Sequence, residues 1–200
     1  VDVKEAINQR RSTRHFKSDK LKEEDLGLIL EAARLAPSGT NLQPWRFIVV
    51  ESDKMREELR GCTLDFVADA PATIVCCVDY KSLESMTDRI QELQEVGALK
   101  GTSLEKLDAS KYRGRKMSEE DTKRYLHLNL SIAIENMILQ ATELGLGSCW
   151  VMMFNQQKLV EVLGLDDNIE AVALLPIGYS EDKPAPRPRL SLDEIIIDRV

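Results

Sequence analysis

Arg10, Arg11 and Arg14 fall within five residues of one another, with the Ser12 hydroxyl between them. Guanidinium forks grip phosphate through paired hydrogen bonds and carry charge at any relevant pH, so the cluster reads as a phosphate clamp. A basic turn standing alone is more often a solvated surface feature. A second stretch, Ala36-Pro37-Ser38-Gly39-Thr40-Asn41-Leu42-Gln43-Pro44-Trp45, crowds turn formers and amides between a helical pattern and a strand. Pro37 fixes its own φ and biases Ala36 away from helix, Gly39 can take positive φ, and Pro44 restricts Gln43. The connector should be stiff, with Ser38, Thr40, Asn41 and Gln43 offering donors and acceptors to a flat, polar-edged ligand. Taken alone, it equally describes a capped helix end followed by a turn.

Other chemistry finds little support. His15 and His127 have no cysteine or serine motif beside them that reads as a nucleophile-base-orienter set, and each is expected to be a surface or helix-packing histidine. The cysteines are Cys62, the adjacent Cys76 and Cys77, and Cys149, none in a C-x-x-C pair, so no metal site is expected. Cys76 and Cys77 lie in an apolar run where cysteine acts as a small hydrophobe, and reduced thiols are the simplest account. No G-x-G-x-x-G stands between a strand and a helix, so a dinucleotide has no binding domain of its own.

Three further motifs join the first two: Gly145-Leu146-Gly147-Ser148-Cys149-Trp150, Pro176-Ile177-Gly178-Tyr179, and the tail Arg187-Pro188-Arg189-Leu190-Ser191-Leu192-Asp193-Glu194. Together they resemble the nitroreductase family of FMN-dependent oxidoreductases. That family opens with R-R-S-x-R, continues with A-P-S-x-x-N-x-Q-P-W, and carries G-L-G-S-x-W, a strand-ending I-G-Y/F and a basic-x-R-x-P-L-x-E ending. Ser191 stands where proline is usual, and residues 80–125 align with nothing in the pattern.

The resemblance implies an α+β fold of three layers, α/β/α, with a mainly antiparallel central sheet, assembled as an intertwined homodimer with C-terminal arm exchange. It implies FMN as cofactor. Arg10, Arg11, Ser12 and Arg14 would engage its phosphate and pyrimidine edge, and Arg187 and Arg189 would complete the phosphate end. Pro37, Ser38, Gly39, Asn41 and Gln43 would approach from the other subunit, and Gly147 and Ser148 would bring backbone amides to the ring. The expected reaction passes hydride from NAD(P)H through FMN to a nitroaromatic, quinone or similar flat acceptor by a ping-pong mechanism. The same scaffold hosts reductive dehalogenation and flavin-destroying chemistry, and a non-catalytic flavin-binding or flavin-sensing protein is a reading of a different class.

These residues need a frame. The chain has 200 residues, enough for a single domain over 1–200, with 80–125 as a variable lid and 184–200 as a C-terminal arm. Within the lid, Tyr112, Arg113, Gly114, Arg115 and Lys116 could greet substrate or reductant, although a solvated basic loop is favoured. A net charge of −7 argues against nucleic-acid binding, so clustered arginines point to a local anion site. No apolar run approaches a membrane span and no charged-then-apolar leader is legible ahead of Val3, so a soluble, cytoplasmic protein is expected.

Periodicity predicts helices from Glu23 to Pro37, over 53–60, from the Ser118 cap to Leu144, and over 156–163. It predicts strands over 47–50, 72–78, 149–152 and 170–177. The helix after Ser118 is apolar almost all round, which implies burial on more than one face and hence a subunit interface. Pro184, Pro186 and Pro188 enforce an extended tail that ends in the β-prone Ile195-Ile196-Ile197.

Overall fold

A computed structural model describes residues 2–109 and 117–200. In chain order the elements are α1 (Val3–Gln9), α2 (Glu23–Arg34), β1 (Trp45–Val50), α3 (Asp53–Arg60), α4 (Asp65–Asp69), β2 (Ala72–Asp79), α5 (Met86–Glu95), α6 (Glu119–Glu143), β3 (Gly147–Ser148), α7 (Gln156–Leu163), β4 (Ile169–Gly178) and α8 (Leu192–Ile195). Local chemistry sets most boundaries. Asp2, Ser52, Ser118 and Asn155 each accept a backbone N–H from the first turn of α1, α3, α6 and α7. Gly164 ends α7 at φ 63°, and Gly145, at φ 75°, follows the last turn of α6.

The strands form one sheet in the order β1-β2-β4-β3, every pair antiparallel. Its two faces carry separate apolar clusters. On one, Ile74, Cys76, Val78, Ala173, Leu175 and Ile177 pack against α2 and α6. On the other, Val75, Cys77, Ala171 and Leu174 pack against Leu59 of α3, Val67 of α4 and Leu159 of α7. A bulge keeps this alternation in step: Cys76 faces Ala173 but Cys77 faces Ala171, so Val172 is the extra residue that resets which side β4 presents. The chain is therefore an α/β/α sandwich on an antiparallel sheet, the α+β arrangement expected.

α6 is the central support. Leu126, Leu130, Ile134 and Met137 are fully buried along one face, each worth about 1.5–3 kcal/mol of transfer free energy. Leu128 and Ile132, four residues apart on another face, remain 62% and 42% exposed. One chain thus satisfies only part of this helix's apolar surface.

Two expectations need correction. Residues 149–152 do not form a strand; the paired residues are Gly147 and Ser148, and beyond them only Val151 bridges to Leu174. Pro176 supplies the reason, because its carbonyl accepts the Cys149 N–H at 3.3 Å while its ring nitrogen has no hydrogen to return. In the tail, Ile195 is not extended but closes α8, nucleated by a capping box in which Ser191 and Glu194 satisfy each other's backbone N–H. Ile196 then turns extended at φ −96°. The expected strand 47–50 begins earlier, at Trp45, and α4 and α5 have no counterpart among the expected elements.

Candidate functional site

After α1 the chain turns extended at Arg10 and runs beside β3. Ser12 bridges Ser148 in parallel, and the Thr13 N–H donates to the Ser148 carbonyl at 2.9 Å. The approach is close enough that a Cβ on Gly147 would lie 2.8 Å from Cβ of the buried Thr13. Only glycine fits there. The segment carrying the N-terminal arginines is thereby registered against Gly147 and Ser148.

From this edge Arg10, Arg11, Ser12 and Arg14 meet Arg187 and Arg189 across a cavity of about 750 Å³, with Pro184 and Pro186 in its wall. The two ends of the chain, distant in sequence, build one pocket. Arg11 donates to the carbonyls of Asn8 and Arg10 at 2.7 and 2.8 Å. Arg14 donates to the Ser12 carbonyl at 3.2 Å and lies 5.9 Å from the centre of the Phe66 ring. Among the described residues none of these five arginines pairs with a carboxylate. Five guanidinium groups without a salt bridge, Arg10 showing a longer-range charge interaction with Glu135, surround one cavity in a chain of net charge −7 and make a local anion site.

Cys149 registers the same field. Burial pushes its thiol pKa up, opposed by the charge of Arg14, a hydrogen bond with Ser12, and the charges of Arg187 and Arg10. Cys77, within β2, is pushed up to about 12 by burial alone, as befits a structural thiol.

The second predicted segment sits elsewhere. Pro37 follows α2, and the Ser38 hydroxyl oxygen accepts the Gln43 N–H at 3.0 Å, closing a turn. Within it Thr40, Asn41 and Gln43 all take positive φ, at 49°, 53° and 50°. The Gly39 N–H donates to Oδ1 of Asn129 at 2.7 Å, and its carbonyl accepts the Tyr125 hydroxyl at 3.0 Å. The Asn41 side chain has no hydrogen bond among the described residues, leaving its amide free. None of residues 37–43 is among the described residues lining the arginine cavity. One chain therefore brings together Arg10, Arg11, Ser12, Arg14, Arg187 and Arg189 beside Gly147 and Ser148, and leaves Pro37, Ser38, Gly39, Asn41 and Gln43 outside the lining of that cavity.

Sequence reading missed Thr13, Tyr125 and Asn129. The legible signal was Asn129, an amide in the middle of an apolar helix. The histidines behave as expected: His15 is an exposed side chain paired with Asp182 at 3.0 Å, and His127 packs 3.4 Å from Glu170. Glu170 also takes Lys123 at 2.6 Å and the Tyr80 hydroxyl, tying the start of the lid segment to α6 and β4. α5 of that segment packs against the Gly39–Asn41 turn. Tyr112, Arg113, Gly114, Arg115 and Lys116 lie outside the described residues. Among the described residues no group of three His, Cys, Asp or Glu is placed to hold a metal ion, and no helix is long and apolar enough to cross a membrane.

The chain resembles known proteins of one family. The family model described as the nitroreductase family matches residues 7–179. A Thermus thermophilus protein named NADH dehydrogenase is 32% identical over 205 residues, covering 100% of this chain and 97% of its own length. A provisionally named NAD(P)H nitroreductase of Streptococcus pyogenes is 31% identical over 202 residues, covering 96% of both. A solved structure from Exiguobacterium sibiricum, determined in complex with FMN, superposes with a TM-score of 0.86 at 24% identity, covering 100% of this chain and 98% of that one.

Proposed function

Because this chain belongs to the nitroreductase family, we propose that it is an FMN-dependent oxidoreductase. It would take hydride from NADH or NADPH and pass reducing equivalents to a nitroaromatic, quinone or similar flat acceptor. The observation that carries this reading is the set of five arginines, without salt bridges among the described residues, around one cavity beside Gly147 and Ser148. The donor set fits the phosphate of FMN: a dianion among guanidinium forks gains charge-assisted bonds of about 1.5–3 kcal/mol each. An FMN complex of the same fold, and relatives whose names specify NADH or NAD(P)H, point the same way.

In this reading FMN supplies the electron chemistry, and the chain supplies position and electrostatics. Arg187 and Arg189 close on the phosphate from the C-terminal side, while Arg10 and Arg14 hold it from the N-terminal side. The Ser12–Ser148 pairing fixes the distance between this clamp and the Gly147–Ser148 edge. Asn41 and Gln43 belong to a second copy, because the turn bearing them lies outside the lining of its own arginine cavity. Leu128 and Ile132, exposed on α6, supply apolar surface for that association. The homodimer then contains two equivalent sites, each built from both subunits.

The experiment is an anaerobic titration. Purified protein should carry a yellow chromophore released as FMN, and NADH or NADPH should bleach it. Bound flavin that neither reductant bleaches would favour a binding protein over an enzyme, and absence of any flavin affinity would refute the reading.

A further inference from the structure

The turn of residues 39–43 is an expensive piece of backbone. Thr40, Asn41 and Gln43 sit in the left-handed region, where a non-glycine residue costs about 1–3 kcal/mol and a β-branched one such as Thr40 is a marked outlier. The turn lies at the surface, with Gly39 exposed and Thr40, Asn41 and Gln43 half-buried. A relaxed turn would join α2 to β1 at less cost, so something must hold this one.

Within the turn the Gly39 carbonyl accepts the Thr40 hydroxyl at 2.7 Å and the Leu42 N–H at 3.1 Å, and Ser38 takes the Gln43 N–H; from outside it, two residues of α6 hold the turn. Asn129 Oδ1 accepts the Gly39 N–H at 2.7 Å, Asn129 Nδ2 donates to the Tyr125 carbonyl at 2.7 Å, and the Tyr125 hydroxyl donates to the Gly39 carbonyl at 3.0 Å. Both backbone polar groups of Gly39 are thus gripped by residues one helical turn apart. The fit is tight: a Cβ on Gly39 would overlap the Tyr125 hydroxyl and lie 3.0 Å from two of its ring carbons. Asn129 is only 5% exposed within a helix whose other buried residues are apolar. Leucine there would serve both helix propensity and the core better.

We propose that Tyr125 and Asn129 are positioning residues of the flavin site, a bracket that locks the turn so that Asn41 and Gln43 face the flavin of the second copy in one fixed geometry. This inference rests on the reading of the chain as an FMN-dependent enzyme. The arginine clamp sets how tightly FMN is held; the bracket sets how its ring is seated.

The test compares wild type with Asn129→Ala, Tyr125→Phe, Gly39→Ala and Gly39→Ala/Tyr125→Phe as full-length proteins. Apoprotein amide exchange over residues 39–43, the visible spectrum and affinity of added FMN, NADH-driven turnover and thermal midpoint are measured on each. Asn129→Ala should speed exchange in the turn about tenfold or more, the equivalent of one lost hydrogen bond. It should also shift the bound-flavin absorption band and lower kcat about tenfold, while FMN affinity changes less than about threefold because the clamp is intact. Tyr125→Phe should act in the same direction. Gly39→Ala should be damaging alone and clearly less so beside Tyr125→Phe, since the added methyl and the hydroxyl compete for one space. Unchanged exchange and an unchanged spectrum in both Asn129→Ala and Tyr125→Phe, with wild type binding FMN, would overturn this inference alone. Strictly additive effects of Gly39→Ala and Tyr125→Phe would also overturn it. Failure of the wild-type apoprotein to take up FMN would remove the functional reading and the bracket's role with it.

Discussion

The Thr13 N–H donates to the Ser148 carbonyl at 2.9 Å, and through that bond the arginine-bearing segment is held to the glycine-bearing edge of the sheet. A shift of either strand moves the other. In the proposed reading, charge placement and ring placement are therefore coupled by backbone geometry.

Removing a clamp arginine should separate FMN from riboflavin. Arg189→Ala or Arg14→Ala is expected to weaken FMN by about 1.5–3 kcal/mol, roughly 10- to 150-fold in Kd, while riboflavin affinity stays within about twofold. Fluorescence titration of the apoprotein with both ligands checks this, and equal losses would mean the phosphate lies elsewhere.

Gly147→Ala should cost about 1–3 kcal/mol, because the new methyl meets the short, buried Thr13 side chain. The accompanying Thr13→Ala exchange should recover much of the loss by clearing that space. Thermal midpoints of the two single variants and the double variant decide the matter.

Leu128→Asp and Ile132→Asp should leave the fold intact, since both side chains are already exposed in one chain. Together they should weaken self-association about a hundredfold or more by placing charge in a desolvated interface, and FMN content should fall in parallel. Light scattering after size exclusion gives the mass. A pair of aspartates that stays dimeric would move the interface to another face.

Acid should loosen the junction at Glu170. Burial works to raise its pKa, but the hydrogen bonds from Lys123 and Tyr80 and the nearby His127 outweigh it, so the folded value lies below the ordinary 4.5. A lowered folded value means the unfolded chain binds the proton first. The stabilisation is therefore complete above pH 4.5 and is lost as pH falls through the lower folded pKa. Melting curves from pH 3 to 7 should show a smaller acid-side decline for Glu170→Gln than for wild type.

Steady-state kinetics should be ping-pong. In the proposed reading donor and acceptor take turns on one flavin face, so they cannot both stack within transfer distance. Double-reciprocal plots should be parallel, and excess donor should compete with acceptor. Intersecting lines would require a second site.

The arginine motifs and the glycine edge were legible in the sequence because each is written in a short run of neighbouring residues, and the α/β/α layering followed from the family resemblance those runs carry. What escaped depends on distant partners. Residues 149–152 look like a strand until Pro176, on a strand formed much later, fails to return a hydrogen bond. Ile195 is the local exception: it looks extended, but the neighbouring Ser191–Glu194 box pulls it into a helix. Tyr125 and Asn129 read as ordinary members of α6, since their partner Gly39 lies 86 and 90 residues away.

The arginine cavity draws on both ends of the chain, whereas all four strands and the long helix lie between residues 3 and 178. A chain cut near residue 180 would keep every strand and the long helix yet lose Arg187 and Arg189, two of the five arginines around the cavity.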